Sequence, residues 1–129
     1  MITIGTDIID VARVRSARDA LVERALCAPE RAYCLAQGQA DLHVAGRFAA
    51  KEAVFKALRP PSPNSISWQD IEIANEEGGA PRVILRGAAL SHAEAAGIIA
   101  VHISISHIHE FAVATAVCEW REGNTQPSP

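Results

Sequence analysis

The stretch Arg47-Phe48-Ala49-Ala50-Lys51-Glu52-Ala53-Val54-Phe55-Lys56-Ala57-Leu58 constrains the fold more than any other part of the chain. Ala, Leu, Glu and Lys dominate it and neither Gly nor Pro interrupts it, so propensity makes it helix. At 100° per residue, Val44, Phe48, Phe55 and Leu58 form one apolar stripe. Lys51 falls in the middle of that stripe and Glu52 on its flank. Alanines cover most of the remaining surface, leaving no polar side to face water. Such a helix packs on several sides, and charges carried into that packing require partners. An exposed Glu52–Lys56 pair at i,i+4 would contribute only roughly 0.2–0.5 kcal/mol, which suffices only if the helix is solvated.

Around this helix, predicted to run from Ala40 to Leu58, the pattern alternates strands and helices. Residues 2–9 alternate as a strand, Ile2, Ile4, Thr6 and Ile8 to one side and Thr3, Gly5, Asp7 and Ile9 to the other. This strand is expected to be central in its sheet. Ser16 is placed to cap a helix through about Leu26, and Pro29 suits the first turn of another that ends near Gln37. Arg59-Pro60-Pro61-Ser62-Pro63-Asn64 is loop by composition. Ser67–Ala74 and Arg82–Arg86 read as a hairpin, Gly87–Ala96 as a helix, and Val101–Ser106 and Phe111–Cys118 as a second hairpin. Strands joined by hairpins predict an α+β fold, a small antiparallel sheet packed on the long alanine-rich helix. One domain is expected over residues 1–120, with a disordered tail over 121–129.

Composition narrows the function. With 129 residues the chain supports one core, and a net charge of −3 gives no overall attraction to nucleic acid or anionic lipid. An anion site therefore has to come from a local basic cluster. Cys27, Cys34 and Cys118 are odd in number and lack metal-ligand spacing, which suits reduced thiols in the cytoplasm. The N-terminus lacks a basic n-region and no run reaches the length of a membrane span.

Asp7 is unusual in a strand. It is either solvated on an open sheet face or a carboxylate held rigidly at a site. Brought beside Glu52 it would repel, unless a cation lay between them. Mg²⁺ fits that role, since it takes one or two carboxylates and completes its shell with water and phosphate oxygens. Arg47, Lys51 and Lys56 on the same helix are either surface cations with snorkelling stems or a phosphate-binding row. His107 ends a strand, where an imidazole serves as a hydrogen bonder, a phosphate donor or a general base. His107 and His109 form H-x-H without a third zinc ligand at sensible spacing.

Taken in order, the segments Ile4-Gly5-Thr6-Asp7-Ile8-Ile9-Asp10-Val11 through Arg13, RFAAKEAVFKAL, Trp68-Gln69-Asp70-Ile71-Glu72-Ile73, Gly79-Ala80-Pro81 and Ser104-Ile105-Ser106-His107 resemble the holo-(acyl-carrier-protein) synthase family. These are the small 4′-phosphopantetheinyl transferases, and the resemblance runs from about residue 2 to 118. It implies transfer of 4′-phosphopantetheine from coenzyme A to a serine of an apo acyl carrier protein, releasing 3′,5′-ADP. By motif, Asp7 and Glu52 would hold Mg²⁺, Arg47, Lys51 and Lys56 would bind phosphates, and His107 would lie near the nucleotide. Arg13 would meet the acidic helix of the carrier. A metal-bound water, Glu52 or His107 would serve as base. The family's small members are homotrimers. Two departures stand out: Arg59–Pro63 replaces a Gly-rich loop, and Ala80 stands where a basic residue is usual. The competing reading is a non-catalytic module that binds coenzyme A within a carrier-protein complex.

Overall fold

The computed structural model describes residues 1–123. The chain runs β1 (Ile2–Asp10), α1 (Val11–Ala25), α2 (Ala28–Ala36), α3 (Ala40–Leu58), a 3₁₀ turn at Trp68–Asp70, β2 (Ile71–Asn75), β3 (Pro81–Leu85), α4 (Gly87–Ala96), β4 (Ile98–His107) and β5 (Phe111–Trp120). The α+β, antiparallel expectation holds. Strands β1, β5 and β4 form a three-stranded antiparallel sheet in that order, and β2 and β3 form a separate hairpin.

Helix α3 has the expected bounds and is packed on most sides. Leu42, Val44, Ala45, Ala49, Ala50, Ala53, Val54, Ala57 and Leu58 are all buried. Ala side chains let flanking elements approach closely, and the sheet uses that freedom at β1. A Cβ on Gly5 would lie 2.1 Å from the carbonyl oxygen of Ala53, so strand and helix backbones touch there. Nearby, the buried Thr3 hydroxyl donates to the Ala57 carbonyl at 2.6 Å and accepts from the Trp120 indole at 2.8 Å, tying β1, β5 and the end of α3 together.

The structure corrects three expectations. β1 lies at the sheet edge, with β5 central. Its inward row is Thr3, Gly5, Asp7 and Ile9, while Ile2, Ile4 and Ile8 are exposed. Gly5 sits at the closest approach to the helix because a larger residue would not fit there. Helix α1 starts at Val11 rather than at Ser16, because Asp10 caps it by accepting from Ala12 N at 2.9 Å; its helical geometry breaks at Ala17, beside the predicted cap. The expected strand from Ser67 begins only at Ile71, since the Ser67 side chain caps the 3₁₀ turn. Most of the expected tail lies outside the described residues.

Candidate active site

The contact between Gly5 and Ala53 sets the site. Two residues along the same face of β1, Asp7 comes beside Glu52 and Lys56 of α3. The Lys56 ammonium donates to the Thr6 carbonyl at 2.9 Å and to Asp7 Oδ1 at 3.2 Å. Asp7 Oδ2 is buried and has no protein partner. Burial pushes the Glu52 carboxyl above its ordinary value, the Asp7 charge pushes it further, and Lys56 opposes them. An orphaned buried carboxylate oxygen beside a second, destabilised carboxylate fits a hard divalent cation. Among the described residues no group of three His, Cys, Asp or Glu side chains offers a closed ligand set. A metal held by Asp7 and Glu52 would leave positions for water and phosphate oxygens.

Lys51 is not part of this row, which corrects the sequence expectation. It is fully buried, and its ammonium lies 2.7 Å from Glu30 Oε1. It also donates to the carbonyls of Trp68 at 2.8 Å and Ile71 at 2.5 Å. Three acceptors use all three ammonium hydrogens, so none remains for a phosphate. Glu30 is satisfied in turn: Oε1 accepts from Cys27 N at 2.9 Å and Oε2 from Ile73 N at 2.8 Å. The ion pair joins α2, α3 and β2.

Arg47 and His107 share a second cleft of about 180 Å³ with Tyr33, His43, Asn75 and Pro81. Arg47 is buried, and its guanidinium lies 4.6 Å above the Tyr33 ring. One terminal nitrogen donates to Asn75 Oδ1, while buried Nε has no partner. Asn75 is itself held by donating to the Gly79 carbonyl at 3.0 Å. Arg13, exposed on α1, lines a wider groove floored by Ile8, Ile9, Val14, Leu21 and Phe48.

Sequence reasoning passed over Glu30, Tyr33, His43 and Asn75. For His43 the signal was available: it stands four residues before Arg47, on the same helix face. Glu30 carried a weaker one, an acid in the first turn of a Pro-initiated helix.

The model of the 4′-phosphopantetheinyl transferase superfamily matches residues 3–116. The holo-[acyl-carrier-protein] synthase of Moorella thermoacetica is 43% identical over 122 residues, covering 92% of this chain and 94% of that protein. The holo-(acyl-carrier-protein) synthase of Bacillus anthracis, solved in complex with CoA (3′,5′-ADP), is 38% identical, with a TM-score of 0.77 over 92% of this chain and 96% of that one. The Chronobacterium ammoniagenes ACPS–CoA complex has a TM-score of 0.84 at 26% identity, over 95% of this chain and 99% of that one. The chain belongs to the holo-(acyl-carrier-protein) synthase family of small 4′-phosphopantetheinyl transferases.

Proposed function

We propose that the protein moves the 4′-phosphopantetheine arm of coenzyme A onto a serine hydroxyl of an apo acyl carrier protein, with Mg²⁺. The observation that carries this reading is the meeting of Asp7, Glu52 and Lys56, with Asp7 Oδ2 buried and unpartnered, in a member of this family. In the reaction the serine oxygen bonds to the β-phosphorus of coenzyme A. The bond from that phosphorus to the bridging oxygen breaks, and 3′,5′-ADP leaves with the electron pair.

Asp7 and Glu52 hold the metal, which when bound neutralises charge on the pyrophosphate. Lys56, half exposed and anchored on Asp7 and Thr6, turns its remaining hydrogen to the departing phosphate. Glu52, its carboxyl raised above the ordinary value beside Asp7, takes the serine proton, while His107, in the Arg47 cleft, binds the nucleotide end. Arg13 and the apolar groove beside it receive the acidic face of the carrier.

The open face of the three-stranded sheet supports assembly. Ile4, Val117 and His102 form one cross-strand row and Ile8, Val113 and Ser106 another. Ile4 and Ile8 are more than half exposed, an apolar surface suited to a homotrimer interface. Residues 1–120 act as one domain in the cytoplasm, a setting that the free Cys27, Cys34 and Cys118 suit.

The test is incubation with coenzyme A, Mg²⁺ and an apo carrier, followed by intact-mass spectrometry. One added phosphopantetheine is expected, lost with EDTA and with Asp7→Ala. Tight coenzyme A binding without transfer to any apo carrier would instead identify a non-catalytic module.

A further inference from the structure

The cleft between α2, α3 and β4 holds more basic chemistry than Arg47 and His107 supply alone. His43 precedes Arg47 by one helical turn, and its ring lies 6.3 Å from that of His107. Tyr33 packs edge-on against His43 at 5.8 Å and carries the Arg47 guanidinium over its face, so one aromatic ring orients both basic side chains. Arg47 is 6% exposed, and its Nε reaches no protein acceptor. No carboxylate lines this cleft. Two imidazoles, a guanidinium with an unsatisfied donor and no acid make a receptor for an anion that carries its own excess charge.

We propose that His43 is a specificity-determining residue, forming with Arg47 and His107 a cradle that selects a terminal phosphate monoester over a hydroxyl at the same place on the nucleotide. This rests on the transfer reading above and deepens it by naming which part of coenzyme A is read. Coenzyme A carries two kinds of phosphate. The pyrophosphate bears about one charge per phosphorus, whereas the ribose monoester bears nearly two at neutral pH, its second pKa being about 6. The Asp7–Glu52 end requires a cation before it accepts any phosphate. The Arg47 cleft requires none, and so suits the dianion.

The cradle has a proton signature. In the free protein, burial holds His43 below the ordinary histidine value, and the neighbouring His107 and Arg47 lower it further. The groups facing it are Tyr33 from α2, Arg47 one turn away on α3 and His107 from β4; Asn75 from β2 is neutral. A bound dianion reverses the repulsion among these bases, and His43 gains a proton as the monoester enters.

The experiment compares transfer from coenzyme A and from dephospho-coenzyme A by the full-length protein, its H43Q and H43F variants, and H107Q. For H43Q the ratio of kcat/KM values, coenzyme A over dephospho-coenzyme A, is expected to fall about tenfold, the size of one charge-assisted hydrogen bond, and to do so through KM. Calorimetry with 3′,5′-ADP in buffers of different ionisation enthalpy, between about pH 6 and about pH 8, is expected to show proton uptake that H43Q reduces and H107Q does not abolish. An unchanged ratio with unchanged proton uptake in both His43 variants overturns the proposal. If neither variant folds, absence of proton uptake by the unmodified protein does so. Failure of the unmodified protein to transfer from coenzyme A at all removes the transfer reading instead, and the 3′,5′-ADP calorimetry still judges the cradle.

Discussion

Replacing Lys51 with Met tests whether this lysine serves the fold or the phosphates. The side chain keeps its length and apolar stem but loses the ammonium, which removes the contact to Glu30 Oε1 and both hydrogen bonds to the carbonyls of Trp68 and Ile71. Glu30 stays fully buried, still accepting from the amides of Cys27 and Ile73. Stranding one member of a buried ion pair costs about 3–5 kcal/mol. The two surviving amide bonds favour the lower part of that range. Stability for a chain of this size lies at roughly 5–15 kcal/mol, so the loss is a large fraction of the whole. Urea denaturation followed by Trp fluorescence would show it as a fall in midpoint of about 2 M for a urea slope of about 2 kcal/mol/M. A Glu30→Leu/Lys51→Met double variant removes both charges together. It should recover part of the loss, giving a coupling of about 1–3 kcal/mol. An unchanged midpoint for Lys51→Met, together with a raised KM for coenzyme A, would refute the structural assignment and return Lys51 to the phosphate row.

Gly5→Ala should destabilise the protein by about 1–3 kcal/mol and lower transfer as well, because the new Cβ would meet the Ala53 carbonyl at 2.1 Å and push β1 from α3; melting temperature and turnover measured on one preparation check both. Glu52→Gln should abolish Mg²⁺-dependent transfer yet leave the metal-free protein equally or more stable, since it relieves a half-buried carboxylate repelled by Asp7; a thermal melt without metal that falls well below the parent's would contradict this. For pH, His43 titrates lower in the folded than in the unfolded chain, so its stabilising contribution is present above its ordinary value of 6.5 and is lost as pH falls through the lower folded value. The ligand-free protein should therefore lose stability as pH falls from 6.5 to the lower folded value, with no further loss from this group below it, and His43→Phe should flatten that decline in melts recorded across the interval.

Helix propensity and loop chemistry were enough to place α3 and the Pro-rich loop after it, because both are local properties of consecutive residues. Depth and partnership are not local. The angle of Lys51 on the helix showed a charge inside the packing, but a helical wheel gives direction without distance. The group that satisfies it, Glu30, sits 21 residues upstream on another helix, and the two carbonyls follow it in the chain. Sequence order cannot show that meeting. The strand expected from Ser67 failed for a related reason: alternation favoured a strand, but a side-chain cap at Ser67 offered the backbone a competing turn.

The placement of Asp7 depends on what β1 lacks on its inward face. A larger residue at position 5 would hold the strand away from α3, and the Lys56 ammonium would then lose its reach to Asp7 Oδ1 and to Thr6. Gly5 and the alanine at position 53 thus do for geometry what Glu52 and Asp7 do for charge. Close packing brings two carboxylates together at a cost, as the raised Glu52 carboxyl and the orphaned Asp7 oxygen record. A fold selected for stability alone would separate those groups or neutralise one of them. Keeping both beside a lysine makes sense where a cation and a polyanionic substrate arrive to offset the repulsion. On that view the small residues where β1 meets α3 are what position the proposed site, since bulkier ones would hold the strand away and admit water to the same charges.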